Sequence, residues 1–153
     1  MLTPLSRRTL LVAGLGATAV AACAPGHSSM ELVVYKTPLC GCCTAWVDQM
    51  RAAGFKARVN ELPDLTSLRS SRGVSDDLAS CHTALIGGYV LEGHVPAEDV
   101  RKLLAERPEA VGLAVPGMPL GSPGMEMPDG QREAYETLLI LKGGSTRMFV
   151  RHA

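Results

Sequence analysis

Aromatic residues are scarce in this chain: 153 residues include two Phe, three Tyr and a single tryptophan, Trp46. That scarcity argues against a base-stacking surface for nucleic acid, and it leaves the core to Leu, Val, Ile, Ala and Met. An excess of either charge is also missing. Fifteen basic residues balance fifteen acidic ones, so no net field draws the protein to nucleic acid or to an anionic membrane surface. Long apolar runs are absent as well, since the uncharged stretch from Thr9 to Ala22 is too short to span a bilayer. What remains, 46% hydrophobic and 20% charged, is the composition of one globular domain with a real core.

The first residues read as an address. Ser6-Arg7-Arg8-Thr9-Leu10-Leu11 opens a signal peptide over residues 1–22, and its arginine pair resembles a twin-arginine export signal, although an ordinary secretory leader carries similar arginines. Val20-Ala21-Ala22-Cys23 resembles a bacterial lipobox, in which Cys23 receives the lipid and becomes the mature N-terminus; a plain cleavage site in the alanine-rich stretch is the alternative. The protein is therefore expected in the periplasm, in contact with the membrane through a lipid anchor only. Five cysteines are an odd number for an oxidising compartment, and removing Cys23 leaves four. Residues 23–30 form a tether, and residues 31–153 the folded domain.

Within that domain Glu31 to Thr37 is apolar and β-branched enough for a strand, and the cysteine cluster follows it directly. Thr44 to Ala53 spaces Trp46, Val47 and Met50 as a helix, with Gly54 as its stop. Phe55 to Leu62 alternates as a strand, Asp64 to Ala79 suits a short helix and loop, and Thr83–Ile86 with Tyr89–Gly93 forms a hairpin across Gly87-Gly88. Pro96 opens a helix whose buried stripe is Val100, Leu103 and Leu104. Gly112 to Asp129 reads as a Gly/Pro/Met-rich loop, and Tyr135–Lys142 with Thr146–Arg151 as a closing hairpin. This order is that of an α/β, thioredoxin-like fold with an added loop and a C-terminal hairpin.

Cys40-Gly41-Cys42-Cys43 holds a C-x-x-C, a C-x-C and an adjacent pair at once. A helix starting at this cluster would turn unpaired amide N–H groups and a positive dipole end toward the sulfurs, favouring thiolate. Structural disulfides are one reading of the cysteines, although three so close together staple very little chain. Redox exchange is a second, with Cys40 attacking and Cys43 resolving, as in a periplasmic thiol–disulfide oxidoreductase. A metal site is the third. Thiolates select soft ions; zinc prefers two spaced pairs around one tetrahedral ion, and an iron–sulfur cluster is an alternative that an exported lipoprotein favours less. Cu(I) accepts two or three ligands and bridging sulfur, so crowded thiolates suit copper, even a polynuclear centre. In a thioredoxin-like fold the loop entering the third strand lies beside the motif and usually presents a cis-proline. Here that loop is Ser80-Cys81-His82-Thr83, with His82 at the proline's place, which adds the Cys81 thiol and an imidazole.

Tyr35-Lys36-Thr37-Pro38-x-Cys40-Gly41-Cys42-Cys43, Ser80-Cys81-His82-Thr83, Gly88-Tyr89-x-x-Glu92-Gly93-His94-Val95-Pro96 and the run Val115-Pro116-Gly117-Met118-Pro119-x-Gly121-Ser122-Pro123-Gly124-Met125-Glu126 together resemble the CopG family of periplasmic copper-resistance proteins. These are unrelated to the DNA-binding repressors of that name. The resemblance spans nearly all of the mature chain. It implies a thioredoxin-like fold, a role in copper tolerance, copper as Cu(I) on Cys40, Cys42, Cys43 and Cys81, and cycling of copper or thiols between redox states. It does not establish catalytic turnover. A periplasmic copper-handling or redox partner belongs to the same expectation. His82, His94, Met118, Met125 and Met127 are further candidate ligands, the thioethers being soft enough for Cu(I). His27 and His152 read as bystanders.

Overall fold

Six residues of alternating burial, Glu31–Lys36, form strand β1 of the computed structural model, which describes residues 31–153. The leader, Cys23, the tether and His27 lie outside the described residues. After β1 come helix α1 (Gly41–Ala52), β2 (Lys56–Glu61), α2 (Thr66–Ser71) and a single 3-10 turn (Asp76–Leu78). They are followed by β3 (His82–Ile86), β4 (Tyr89–Gly93), α3 (Ala97–Glu106), β5 (Ala110–Val115), β6 (Tyr135–Leu141) and β7 (Thr146–His152). All seven strands join one mixed sheet in the order β2-β1-β3-β4-β5-β6-β7. β1 and β2 run parallel with α1 as their crossover, β3 and β4 form an antiparallel hairpin, and α3 carries the chain from β4 to a parallel β5. This is the α/β, thioredoxin-like order, with the β6–β7 hairpin adding two antiparallel strands beyond β5.

Both faces of the sheet are covered. Leu32, Val34, Ala84, Leu91, Leu113 and Leu139 pack on one side with Trp46, Val47 and Met50 of α1 and Val100 and Leu103 of α3. Their neighbours in sequence Val90, Ala114 and Ile140 point the other way, onto Val74 and Leu78 of the α2 region. Each fully buried Leu or Met side chain contributes about 1.5–3 kcal/mol, so the main cluster is what fixes α1 to the sheet. Trp46 belongs to it with its polar atom satisfied: Nε1 donates to the Val95 carbonyl at 2.9 Å.

Two boundaries differ from the sequence expectation, and both matter at the site. Helix α1 begins at Gly41 and not at Thr44, so Cys42 and Cys43 lie in its first turn. Gly112 to Val115 is strand, not loop: these residues pair with Val90 to Gly93 as part of β5. Gly112 punctuates a loop only in one dimension. In the sheet it allows close approach, because a Cβ there would fall 1.8 Å from the Val90 carbonyl oxygen. Among the described residues no helix is long and apolar enough to cross a membrane.

Candidate metal centre

The cysteine motif sits where β1 ends and α1 begins, and Lys36 secures the approach. Its side chain is only 7% exposed; Nζ pairs with Glu61 at 3.2 Å and donates to the carbonyls of Thr37 and Pro38 at 3.1 and 3.4 Å. Cys40 is the N-cap of α1, but no side chain caps the helix and its first turn holds no acidic residue. No capping side chain and no first-turn acid therefore compete for the N–H groups at this positive end of the helix dipole.

Cys40 and Cys43 are joined as a disulfide with Cα atoms 5.4 Å apart, while Cys42 and Cys81 are free thiols. Cys42 Sγ lies 3.6 Å from Cys40 Sγ and 3.9 Å from Cys81 Sγ, and Cys43 Sγ is 3.4 Å from the Cys81 carbonyl oxygen. The sulfurs of Cys40, Cys42, Cys43 and Cys81 all fall within 4.8 Å of one another, as the ligands of one ion or a small cluster must. In this state the C-x-x-C pair is oxidised, so two of the four sulfurs become available as thiolates only after reduction.

A second set of donors shares Cys81. The ligand atoms of Cys81, His82 and His94 also lie within 4.8 Å of one another. Cys81 Sγ is 2.9 Å from His94 Nε2 and 3.4 Å from His82 Nδ1. His94 Nδ1 donates to the Pro123 carbonyl at 2.7 Å, which places the ring proton on Nδ1 and leaves the Nε2 lone pair facing Cys81. His82 is fully buried, with its ring centroid 4.3 Å from that of Trp46, and its Nε2 has no hydrogen-bond partner. The described peptide bonds are all trans, so His82 occupies the usual cis-proline position in trans.

Burial governs the ionisation of this donor set. It pushes the Cys81 thiol up to about 12, reinforced by Cys42, so the positive helix end does not make Cys81 a thiolate in the metal-free protein. Burial also drives His82 down to about 3, helped by His94 and Arg69, and lowers His94 against the opposing pull of the Pro123 carbonyl and Glu126. Both rings are therefore neutral near pH 7, the form in which imidazole binds metals.

The methionine-rich loop closes over the helix start. A Cβ on Gly124 would fall 2.7 Å from the Cys42 carbonyl oxygen and 2.9 Å from the Trp46 nitrogen, so glycine is what lets the loop pack here. Met125 is half-buried within the turn that starts at Ser122, whereas Met118 and Met127 are exposed at 40% and 37%. His152 lies in the C-terminal hairpin, with Nε2 at 2.9 Å from Asp99 and its ring stacked 4.5 Å from Tyr135. Two residues that were not among the candidate ligands stand behind Cys81: Arg69 of α2 and Glu92 of β4, an ion pair that contacts Ser80. Glu92 was legible as a position of the Gly88–Pro96 motif and as a carboxylate in an otherwise apolar strand, whereas Arg69 offered no signal.

A family described as a protein of unknown function, DUF411, matches residues 78–125, the stretch holding Cys81, both histidines and the loop as far as Met125. No match emerges among the curated proteins. Among solved structures, two forms of a protein titled copper resistance protein CopG match at 40% identity and a TM-score of 0.76; the alignment covers 81% of this chain and 98% of theirs. Identity at that level over nearly the whole of the matched protein, on the fold and thiol cluster described above, makes this chain a member of the CopG copper-resistance family.

Proposed function

We propose that the protein binds Cu(I) outside the cytoplasm as part of copper resistance, taking the ion on Cys40, Cys42, Cys43 and Cys81 once the Cys40–Cys43 disulfide is reduced. The single observation that carries this reading is the gathering of four cysteine sulfurs within 4.8 Å at an uncapped helix start. Soft, crowded donors fit Cu(I) and its tolerance of low coordination and bridging sulfur. His94 Nε2 and His82 Nδ1 supply nitrogen donors on the Cys81 side, and Met118, Met125 and Met127 supply thioethers from the loop above. Copper is cargo here, and more than one ion per chain is accommodated by bridging thiolates. The leader and Cys23 supply export and a lipid anchor.

The Cys40–Cys43 disulfide favours a companion reading, thiol–disulfide exchange. It also offers a balanced redox step for copper: the reduced pair and two Cu(II) ions give one disulfide, two Cu(I) ions and two protons. Cys42 and Cys81 then remain to hold the product.

The test is anaerobic titration of the reduced protein with Cu(I) against a competing chelator, with bound copper counted per chain before and after Cys81→Ser. The proposal expects tight binding, more than one copper per chain and a clear loss in the variant. If a weak chelator strips the copper while the protein efficiently reduces a test disulfide, the oxidoreductase reading replaces it.

A further inference from the structure

The loop that delivers Cys81 has no strand partner, since β3 starts only at His82. Ser80, just before the cysteine, is nevertheless held at both backbone polar groups. Its N–H donates to Glu92 Oε1 at 2.7 Å, and its carbonyl accepts a hydrogen bond from the Arg69 guanidinium. The two side chains that hold it are paired with each other, Arg69 Nε donating to Glu92 Oε1 at 2.8 Å. Thr83, on the far side of the cysteine, donates through Oγ1 to Glu92 Oε2 at 2.6 Å. Glu92 is fully buried, and the Arg69 side chain is 15% exposed. Gly93 completes the arrangement, because a Cβ there would come 2.6 Å from Ser80 Oγ and push the loop away.

A buried ion pair is a poor source of net stability, because removing two charges from water offsets most of their attraction, and apolar residues of similar volume often replace one without loss. What such a pair supplies is direction. The planar guanidinium fork fixes two acceptors at once, and the carboxylate takes a donor from each side of Cys81. The same β4 end continues through Gly93 to His94, whose Nε2 faces the Cys81 sulfur. The backbone on both sides of Cys81 and its imidazole neighbour are thus referred to one strand.

We propose that Arg69 and Glu92 are positioning residues that hold the Ser80–Thr83 loop so that Cys81 Sγ meets Cys42 and His94 at the distances seen. This rests on the reading of Cys81 as a copper ligand. Partners that orient metal ligands in this way change metal affinity about 10- to 100-fold when removed.

The test compares the wild-type protein with an Arg69→Met/Glu92→Leu double variant, which removes both charges together and strands neither, and with Arg69→Lys. One readout needs no metal: reduced protein is alkylated with iodoacetamide at a single pH, and modification of Cys81 is followed by peptide mass spectrometry against Cys42 as reference. The other is the Cu(I) competition titration, with the copper–thiolate ultraviolet absorption recorded. The double variant is expected to melt cooperatively but below the wild type, because Ser80 and Thr83 lose their partners, to alkylate Cys81 about tenfold faster relative to Cys42 as local protection is lost, and to bind Cu(I) about 10- to 100-fold more weakly. Arg69→Lys should follow the double variant, because an ammonium cannot reproduce the fork. A folded double variant with an unchanged alkylation ratio and unchanged copper affinity overturns the proposal. If the double variant does not melt cooperatively, Glu92→Gln, which keeps an acceptor for Ser80 but weakens the hold on Arg69, decides by the same readouts. Should the wild type itself fail to hold copper, the copper reading falls, and the alkylation ratio still decides the role of the pair.

Discussion

His82 should make the metal-free protein acid-labile in a window set by its burial. The ring is fully buried, its Nε2 has no partner, and His94 and Arg69 add positive potential, so its proton affinity falls from 6.5 to about 3. The folded state therefore binds fewer protons than the unfolded chain between those values. Its contribution is complete above pH 6.5 and is lost as pH falls toward 3. At about pH 4 the loss amounts to about 3 kcal/mol, from a factor of roughly 300 in the linked equilibrium. That is a large share of the stability of a domain whose total is about 5–15 kcal/mol. The assay is urea unfolding at a series of pH values, followed by the fluorescence of Trp46, the sole tryptophan and the residue against which His82 packs. His82→Leu removes the titrating group together with an unsatisfied buried atom, so over that span its stability should fall by about 3 kcal/mol less than that of the wild type. His94 and Glu92 titrate in both proteins, which makes the difference between the two curves the property of His82. Parallel curves between about pH 7 and 4 would refute the reasoning.

Copper uptake should release protons, since burial keeps the Cys81 thiol protonated up to about 12 and the metal must displace that proton. Measured between about pH 6 and 8, Cu(I) affinity should rise about tenfold per pH unit for each proton displaced, and a flat profile would mean that the thiols are already ionised. Gly124→Ala should loosen the loop over the helix start. It forces a side chain into a position with φ of +88°, at about 1–2 kcal/mol, and brings the new Cβ 2.7 Å from the Cys42 carbonyl. A lower melting temperature is expected, with altered imidazole nitrogen shifts for His94 in NMR as the Pro123 carbonyl moves off Nδ1; a variant that melts and resonates as the wild type does would show that the loop is not packed so tightly.

Much of this molecule is written in short-range patterns. The crowding of Cys40, Cys42 and Cys43 is a matter of adjacent positions, and no fold is needed to see it. The β3–β4 hairpin, the stripe of Trp46, Val47 and Met50 and the closing hairpin follow from period and turn residues, which act over a few positions. Cys81 was reachable as well, through the order of elements and the motifs shared with the CopG family. The rest depends on partners far along the chain. Gly112 looks like loop punctuation until β4 lies against it, when its missing side chain becomes the reason β5 can pair there. Whether the helix start yields a thiolate at Cys81 is decided by the depth at which the fold buries that sulfur, and depth has no signature in spacing. The same holds for the tautomer of His94, set by the carbonyl of Pro123, and for the pairing of Arg69 with Glu92 behind Ser80. The sequence alone determined which sulfurs and rings are present and roughly where the chain turns; the tertiary structure decided which face one another, because register and burial arise only when distant strands pack.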